Sequence, residues 1–177
     1  MTTKQQNTFN TMKTEFGYTN IMQAPKVVKV VVSTGVGKVN KDKKRMDLIV
    51  DRLARITGQA PAARASKKAI ANFKSRQGDV VGYQVTLRGE QAQTFLDKLI
   101  HIVYPRTKDF RGILPSAIDE MGNITLGIKE HIVFPETSDE DAKDIFGLAI
   151  TIATTAKNKK EAEMYLRHIG LPLREAK

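Results

Sequence analysis

Apolar and polar residues alternate along four short segments of the chain, and this alternation predicts four β-strands. The segments are 27–33, 80–88, 124–128 and 147–155. The apolar face of the second segment consists of Val81, Tyr83, Val85 and Leu87. Its polar face consists of Gly82, Gln84, Thr86 and Arg88. Each predicted strand therefore has one face suited to a core and one face that can stay exposed.

Apolar residues that recur every three or four positions predict helices between these strands. The first helix is predicted over about 41–57, with Asn40 as its N-cap and Gly58 as its C-terminal stop. The second is predicted over about 91–104, and Pro105 is expected to end it.

A last helix is predicted after Asn158, because Glu161 stands three residues later as in a capping box. It should reach His168 or Ile169, just before Gly170. The acidic segment 136–144 is expected to hold at most a helical turn.

The polar strand faces decide between two kinds of sheet. Strands of a parallel sheet, which are buried on both faces, read as continuous apolar runs, whereas these strands each keep a hydrophilic face. The pattern therefore predicts an α+β fold, in which helices pack on one face of an antiparallel sheet and the other face stays open.

Composition narrows the class of protein. The chain has 177 residues, 29 Lys and Arg against 19 Asp and Glu, a net charge of +10, and no cysteine. The missing cysteines exclude disulfides, zinc–thiolate sites and cysteine nucleophiles.

No apolar run is long enough for a membrane span and the N-terminus lacks a secretory signal, so we expect a cytoplasmic protein without a membrane partner. The excess charge favours nucleic acid as the partner, although a merely soluble basic protein would also show it.

The charges are segregated along the chain. Cations dominate 26–45 and 64–88, where only Asp42 and Asp79 oppose them, while carboxylates dominate 130–144. A surface that serves solubility alone would mix the two signs. The segregation therefore predicts two different contact surfaces.

Enzyme motifs were tested and fail. The run Ser33-Thr34-Gly35-Val36-Gly37-Lys38 resembles a phosphate loop, but Val32 and Val39 replace the required glycine and hydroxyl residue. Asn40 stands where a dinucleotide fingerprint needs its third glycine. His101, His131 and His168 do not have metal-ligand spacing. No catalytic residue, metal or cofactor is predicted.

Two features suit RNA. The polar residues Gln84, Thr86 and Arg88 could bind phosphate and ribose oxygens, although an ordinary solvent-facing strand would look the same. The neighbouring loop at 66–78 carries Lys67, Lys68, Lys74 and Arg76 among small residues, which is typical of a phosphate contact.

Several short motifs then occur in one order along residues 25–174. They are Thr57-Gly58-Gln59, Lys67-Lys68-Ala69-Ile70-Ala71-Asn72-Phe73-Lys74, Val85-Thr86-Leu87-Arg88-Gly89-Glu90, Asp109-Phe110-Arg111-Gly112, Leu126-Gly127-Ile128-Lys129-Glu130, Phe134-Pro135-Glu136 and Thr154-Thr155-Ala156-Lys157. As an ordered set they resemble the bacterial-type family of the fifth large-subunit ribosomal protein. Residues 25–177 would then form a single α+β RNA-binding domain, and 1–24 a divergent N-terminal helical segment.

The resemblance implies a structural protein that docks 5S rRNA into the central protuberance of the large subunit. Large-subunit rRNA and neighbouring central-protuberance proteins are further expected partners. The residues expected at the rRNA are Ser33, Thr34, Gln59, Arg64, Lys67, Lys68, Gln84, Thr86 and Arg88. Ser33-Thr34 replaces the Asn-Met that the family usually has there, and a hydroxyl would keep one hydrogen bond of the amide and lose the second.

The resemblance also implies two contacts outside rRNA. The loop residues expected near P-site tRNA are Asn72, Lys74, Ser75, Arg76 and Gln77. The residues that could meet a basic small-subunit head protein are Asp109, Phe110, Arg111, Gly112, Glu136, Asp139, Glu140 and Asp141. Two alternatives remain open, which are an enzyme that uses the glycine turn at 35–38 and a non-ribosomal RNA chaperone of the same fold.

Overall fold

The computed structural model describes residues 3–37, 42–73, 75–137 and 145–174, with side chains from residue 6 onward. The predictions for Asn40, Lys74 and 138–144 fall outside these ranges.

Five strands form one open antiparallel sheet. They are β1 (Val27–Gly35), β2 (Ala62–Ala65), β3 (Val80–Leu87), β4 (Ile124–Ile128) and β5 (Leu148–Thr154). Their order in the sheet is β2-β3-β1-β5-β4. The α+β class and the antiparallel sheet are therefore confirmed, while β2 is an element that the apolar pattern does not predict.

The helices are α1 (Thr3–Phe16), α2 (Lys43–Thr57), α3 (Gly89–Lys98), α4 (Tyr104–Arg106) and α5 (Lys159–His168). One turn of π-helix, Leu99–Val103, joins α3 to α4. Short 3-10 turns lie in several of the connections, among them Ala71–Phe73 and Pro135–Thr137.

Two predicted helix ends are wrong. Asp42, not Asn40, caps α2, because its carboxylate accepts a hydrogen bond from the Arg45 amide at 3.2 Å. Pro105 does not end the second helix, which runs on to Arg106. The π-helical turn restarts the hydrogen-bond pattern, so Pro105 occupies the first turn of α4, where its missing N–H costs nothing.

The described chain divides into two compact units. The first comprises Met1–Val30, Arg88–Leu126 and Thr151–Lys177, and the second comprises Val31–Leu87 and Gly127–Ile150. We refer to them as unit 1 and unit 2.

Unit 1 contains an aromatic cluster that fixes α1 against α5. Met12, Tyr18 and Tyr165 are buried together, and Phe9 packs against them. The Tyr18 hydroxyl donates a hydrogen bond to the buried Glu161 carboxylate. The same carboxylate accepts from the Lys157 amide at 2.6 Å. Residues of the N-terminal segment are thus tied into unit 1 by burial and by a buried hydrogen-bond pair.

The start of α5 has the predicted N-cap in a modified form. The Asn158 side chain accepts from the Glu161 amide at 2.9 Å, as predicted. The Glu161 carboxylate reaches back to Lys157, one residue before the cap, rather than to the backbone of Asn158 itself.

Unit 2 packs α2 against its strand segments. Leu53 and Ile56 of α2 are buried, as are Val85 and Leu87 of β3. His131 is also fully buried, and its ring stacks on Phe146 with centroids 4.1 Å apart. The alternation predicted for β3 holds at Val85 and Leu87, whereas Val81 and Tyr83 are only half-buried and Gly82, predicted on the polar face, is buried.

Candidate nucleic-acid interface

The β2–β3 hairpin carries a hydrogen-bonded pair of residues of the predicted site. Its strands are antiparallel, with Ala62 opposite Gln84 and Arg64 opposite Gly82. The Arg64 Nε donates to the Gln84 Oε1 at 2.7 Å. Because the bond joins neighbouring strands, it holds the exposed guanidinium against the hairpin with its terminal N–H groups available for an anion.

Gly82 sets how closely β3 approaches β1. A Cβ placed on Gly82 would lie 2.8 Å from the carbonyl oxygen of Thr34, a distance that backbone atoms do not tolerate. The absence of a side chain at this position therefore allows β3 to approach β1 closely.

Ser33 and Thr34 point to opposite faces of β1. The Ser33 hydroxyl is half-buried and lies 3.5 Å from the Ala149 carbonyl. The Thr34 side chain is only 6% exposed, and its hydroxyl donates to the Gly147 carbonyl at 2.8 Å. The structure therefore places Ser33 with the polar residues of the sheet and turns the Thr34 hydroxyl inward, away from any RNA on that face.

Three further predicted residues lie at element ends or on β3. Gln59 is exposed just after Gly58, which takes the left-handed conformation (φ 69°) that ends α2. Thr86 is half-buried on β3. Arg88 follows β3 directly at the N-cap position of α3, and its exposed side chain makes no capping hydrogen bond.

The segment 66–79 forms a closed loop between β2 and β3, which we call the basic loop. Its neck is closed by two backbone hydrogen bonds between Ser66 and residues 78–79, at 2.8 and 3.0 Å. Nearer the tip, Ile70 and Ser75 form an antiparallel bridge. The exposed side chains include Lys67, Lys68, Asn72, Arg76 and Gln77.

The basic loop keeps its positive charge unneutralised. Its one carboxylate, Asp79, accepts from the Arg76 backbone amide at 2.8 Å. In the described part of the loop, Lys67, Lys68 and Arg76 form no ion pair. Exposed cations without carboxylate partners are suited to phosphate.

The residues predicted at the subunit interface fall in two places. Phe110 stacks on the buried Tyr104 with ring centroids 4.6 Å apart, and burial raises the pKa of the Tyr104 hydroxyl. Asp109 has a positive φ of 57°, and Gly112 packs against Arg174. Arg111 and Glu136 are exposed, while Asp139, Glu140 and Asp141 lie outside the described residues.

Two features of the candidate site were not predicted from the sequence, one on the sheet and one in the basic loop. In unit 1 the hydroxyls of Thr125 on β4 and Thr151 on β5 lie 3.1 Å apart on the exposed side. Their alternation with Ile124, Leu126 and Ile150 is the signal that could have revealed them. In the basic loop, Phe73 is 77% exposed, and no periodic pattern marks it.

Two other kinds of feature are not found among the described residues. No group of three or more His, Cys, Asp or Glu side chains there is arranged to hold a metal ion. None of the helices described is both long and apolar enough to cross a membrane.

Comparison with known proteins gives two family matches that together cover most of the chain. The family described as "Ribosomal protein L5" matches residues 20–76. The model of the C-terminus of the same ribosomal protein family matches residues 80–173.

Curated relatives match over nearly their whole length. A protein of Anaeromyxobacter sp. (strain K) is 47% identical over 161 residues, which span 91% of this chain and 89% of the relative. One from Flavobacterium johnsoniae is 48% identical over 93% of this chain and 90% of the relative. One from Microcystis aeruginosa is 44% identical over 98% and 97%. All three are named large ribosomal subunit protein uL5. The resemblance of the ordered motifs is thereby confirmed, and the chain belongs to the ribosomal protein L5 family.

Proposed function

We propose that this protein, a non-enzymatic structural constituent of the large ribosomal subunit, binds 5S rRNA and attaches it to the central protuberance. The β2–β3 hairpin is the RNA platform in this proposal. The observation that carries it is the Arg64–Gln84 pair, a guanidinium that a neighbouring strand orients on an exposed surface. Arg88, at the end of β3, adds a second exposed guanidinium.

The chemistry of this surface fits an RNA backbone. Guanidinium groups bind phosphate through paired N–H donors, and hydroxyl and amide groups such as those of Ser33, Thr86 and Gln59 bind phosphate or ribose oxygens. The Thr125–Thr151 hydroxyl pair offers the same chemistry on β4 and β5. The one aromatic residue of β3, Tyr83, alternates with Gln84 and Thr86 and so lies on the other face of the strand, which favours backbone contacts over base stacking for 5S rRNA binding by the hairpin.

The basic loop contacts P-site tRNA in the same proposal. Arg76 is free to meet the phosphates of the tRNA, while Lys67 and Lys68, close to the neck of the loop, belong to the rRNA contact. The acidic segment around Glu136 and the Asp109–Gly112 turn meet a basic protein of the small-subunit head. Charge complementarity supports this last contact, because Glu130–Asp144 contains six carboxylates and one lysine.

Removing one guanidinium tests the 5S rRNA proposal. Arg88→Ala should weaken binding of 5S rRNA by about 1–3 kcal/mol, because a charged hydrogen bond to phosphate is lost. The dissociation constant would rise by about five- to 150-fold, measured by filter binding at fixed salt. Arg55→Ala is the matched control, since Arg55 is exposed on α2 and pairs with Asp51 at 3.0 Å.

An unrelated RNA hairpin of the same length supplies the specificity control. The wild-type protein should prefer 5S rRNA to the hairpin, and Arg88→Ala should narrow that preference. Equal affinity of the wild-type protein for both RNAs would exclude specific 5S rRNA recognition. Retention of the far-ultraviolet circular dichroism of wild type in Arg88→Ala separates lost binding from lost folding.

A further inference from the structure

A cleft of about 970 Å³ opens in unit 2 beside the glycine turn that fails as a phosphate loop. The turn contributes Gly35 and Gly37, and α2 contributes Arg45 and Ile49. The basic loop contributes Phe73 and Ser75, and further lining comes from Val81 and from Ile145, Phe146 and Gly147. A cleft of this size accepts a ligand as large as a nucleotide.

Phe73 stands at the cleft with its ring in solvent. The side chain is 77% exposed, although burying a phenylalanine ring is favourable. The backbone that carries it is fixed, because the Phe73 amide donates to the Ile70 carbonyl at 3.3 Å and Ile70 bridges to Ser75. An exposed ring whose backbone amide is hydrogen-bonded offers a flat apolar surface to a partner.

Phe146 provides a second aromatic wall that is held in place. Its ring stacks on the buried His131 ring at an interplanar angle of 13°. Its amide also donates to the His131 Nδ1 at 3.4 Å. This wall is therefore anchored in the core of unit 2 rather than loose at the surface.

The remaining lining suits a polar heterocycle with a negative charge. A Cβ added to Gly35 or Gly37 would meet no atom within 4 Å, so the two glycines leave open space for a ligand beside the turn. Arg45 is the one charged side chain among the described residues that line the cleft, and no described carboxylate pairs with it. Aromatic rings and a guanidinium are the groups that proteins use to hold an unstacked nucleotide.

We propose that this cleft binds one unstacked nucleotide of RNA, with its base against Phe73 and its phosphate at Arg45. The proposal rests on the RNA-binding function above, and it adds a base-binding site to a surface that otherwise contacts only the RNA backbone. RNA is favoured over a peptide because the cations Lys67, Lys68 and Arg76 lie on the same loop as Phe73, and because the charge within the described lining is positive.

The absence of tryptophan from the chain provides a sensitive test. Phe73→Trp places a single tryptophan at the cleft, and a nucleobase that stacks on it will quench its fluorescence. The probes are single-stranded hexaadenylate and an abasic hexamer with the same number of phosphates. Hexaadenylate should quench the fluorescence saturably and bind about tenfold more tightly than the abasic hexamer. Met121→Trp, at a residue of similar exposure (72%) in unit 1, should show no base-dependent quenching.

Alanine variants separate the two parts of the site. The alanine variants are made in the chain without tryptophan, and binding is measured with fluorescein-labelled hexamers. Phe73→Ala should weaken the binding of hexaadenylate about tenfold and leave the binding of the abasic hexamer unchanged. Arg45→Ala should weaken both hexamers, because it removes a charge that meets phosphate. Met121→Ala is the control for loss of an exposed apolar side chain.

Three results would overturn the proposal. One is equal quenching of the Phe73→Trp fluorescence by the two hexamers. Another is an equal loss of affinity for the two hexamers in Phe73→Ala. The third is a fluorescence change produced by a leucine-rich basic peptide but not by hexaadenylate, which would assign the cleft to a protein partner. The 5S rRNA affinity of Phe73→Ala should stay within about twofold of wild type, so failure of the cleft and failure of the 5S rRNA proposal are distinguishable.

Discussion

Ser33 and Thr34 show how a difference of one residue decides what a side chain can contact. Successive side chains of a strand point to opposite faces, so only one of two adjacent hydroxyls can face an RNA. Ser33 lies on the polar side and Thr34 bonds to the Gly147 carbonyl inside unit 2. The resemblance stated in the sequence analysis placed both residues at the rRNA, whereas the alternation of β1 turns their side chains to opposite faces.

Gly82 is a second residue whose role comes from its neighbours. Gly82→Ala should destabilise the protein by about 1–3 kcal/mol, because the new methyl group meets the Thr34 carbonyl at 2.8 Å and the two strands must separate. The free energy of unfolding in urea measures the effect.

Gly127→Ala is the matched control. Gly127 lies exposed in β4, and an added Cβ there meets nothing within 4 Å. This variant should be neutral, or more stable by about 0.4–1 kcal/mol through a less flexible unfolded chain. Equal stability of the two alanine variants would show that the close approach of β1 and β3 does not require glycine.

At the scale of elements, the strands and helices that have a periodic pattern of apolar residues are the ones that the sequence predicts. The alternating apolar residues place β1, β3, β4 and β5 to within a few residues, and the helical stripe places α2. Ala62–Ala65 offers neither β-branched residues nor alternation, so β2 exists because β3 supplies a partner for its backbone. The π-helical turn before α4 has no periodic signature either. For this reason the sequence wrongly predicts that the helix ends at Pro105.

The residues of the candidate site likewise divide into those that a periodic pattern reveals and those that it does not. Gln84 and Thr86 could be predicted because they alternate with buried residues of β3. The hydrogen bond from Arg64 to Gln84 could not, since it depends on the register of an unpredicted strand. The cleft at Phe73 depends on several chain segments that are separated in sequence, and such proximity leaves no local pattern.

The basic loop makes a prediction of its own. Lys67→Ala/Lys68→Ala should reduce the slope of log affinity against log salt concentration by about one to two, because two phosphate contacts no longer release counterions. Binding of P-site tRNA or 5S rRNA at several salt concentrations gives the slope. Lys159→Ala/Lys160→Ala removes two exposed lysines from α5 and should leave the slope unchanged. A slope altered equally by both double variants would attribute the effect to net charge alone.

At the scale of the whole molecule, buried tyrosines link stability to alkaline pH. Burial raises the pKa of Tyr165 to about 12 and also raises those of Tyr104 and Tyr18, where the Glu161 carboxylate adds to the effect. An unfolded tyrosine ionises near pH 10. Above that pH the unfolded chain releases protons that the folded chain retains, so stability present below about pH 10 is lost as the pH rises toward the folded pKa values.

The pH dependence is measurable without labels. The urea midpoint should fall progressively above about pH 10, and most tyrosinate absorbance should appear together with the loss of circular dichroism. Tyr165→Phe, which removes one of the buried titrating groups, should flatten the decline. A urea midpoint that stays constant across this range would contradict a link between tyrosine burial and stability.

The hydrogen bond from Tyr18 to Glu161 joins residues 143 positions apart, and it has a consequence for the order of events during synthesis. Unit 2 contains no residue beyond Ile150, whereas unit 1 needs Thr151–Lys177. On a translating ribosome, the segments that form the β2–β3 hairpin and its cleft are therefore complete while α1 still lacks α5. The helix α1 is therefore made long before α5, and it gains this partner only after both strands of the β2–β3 hairpin have been made.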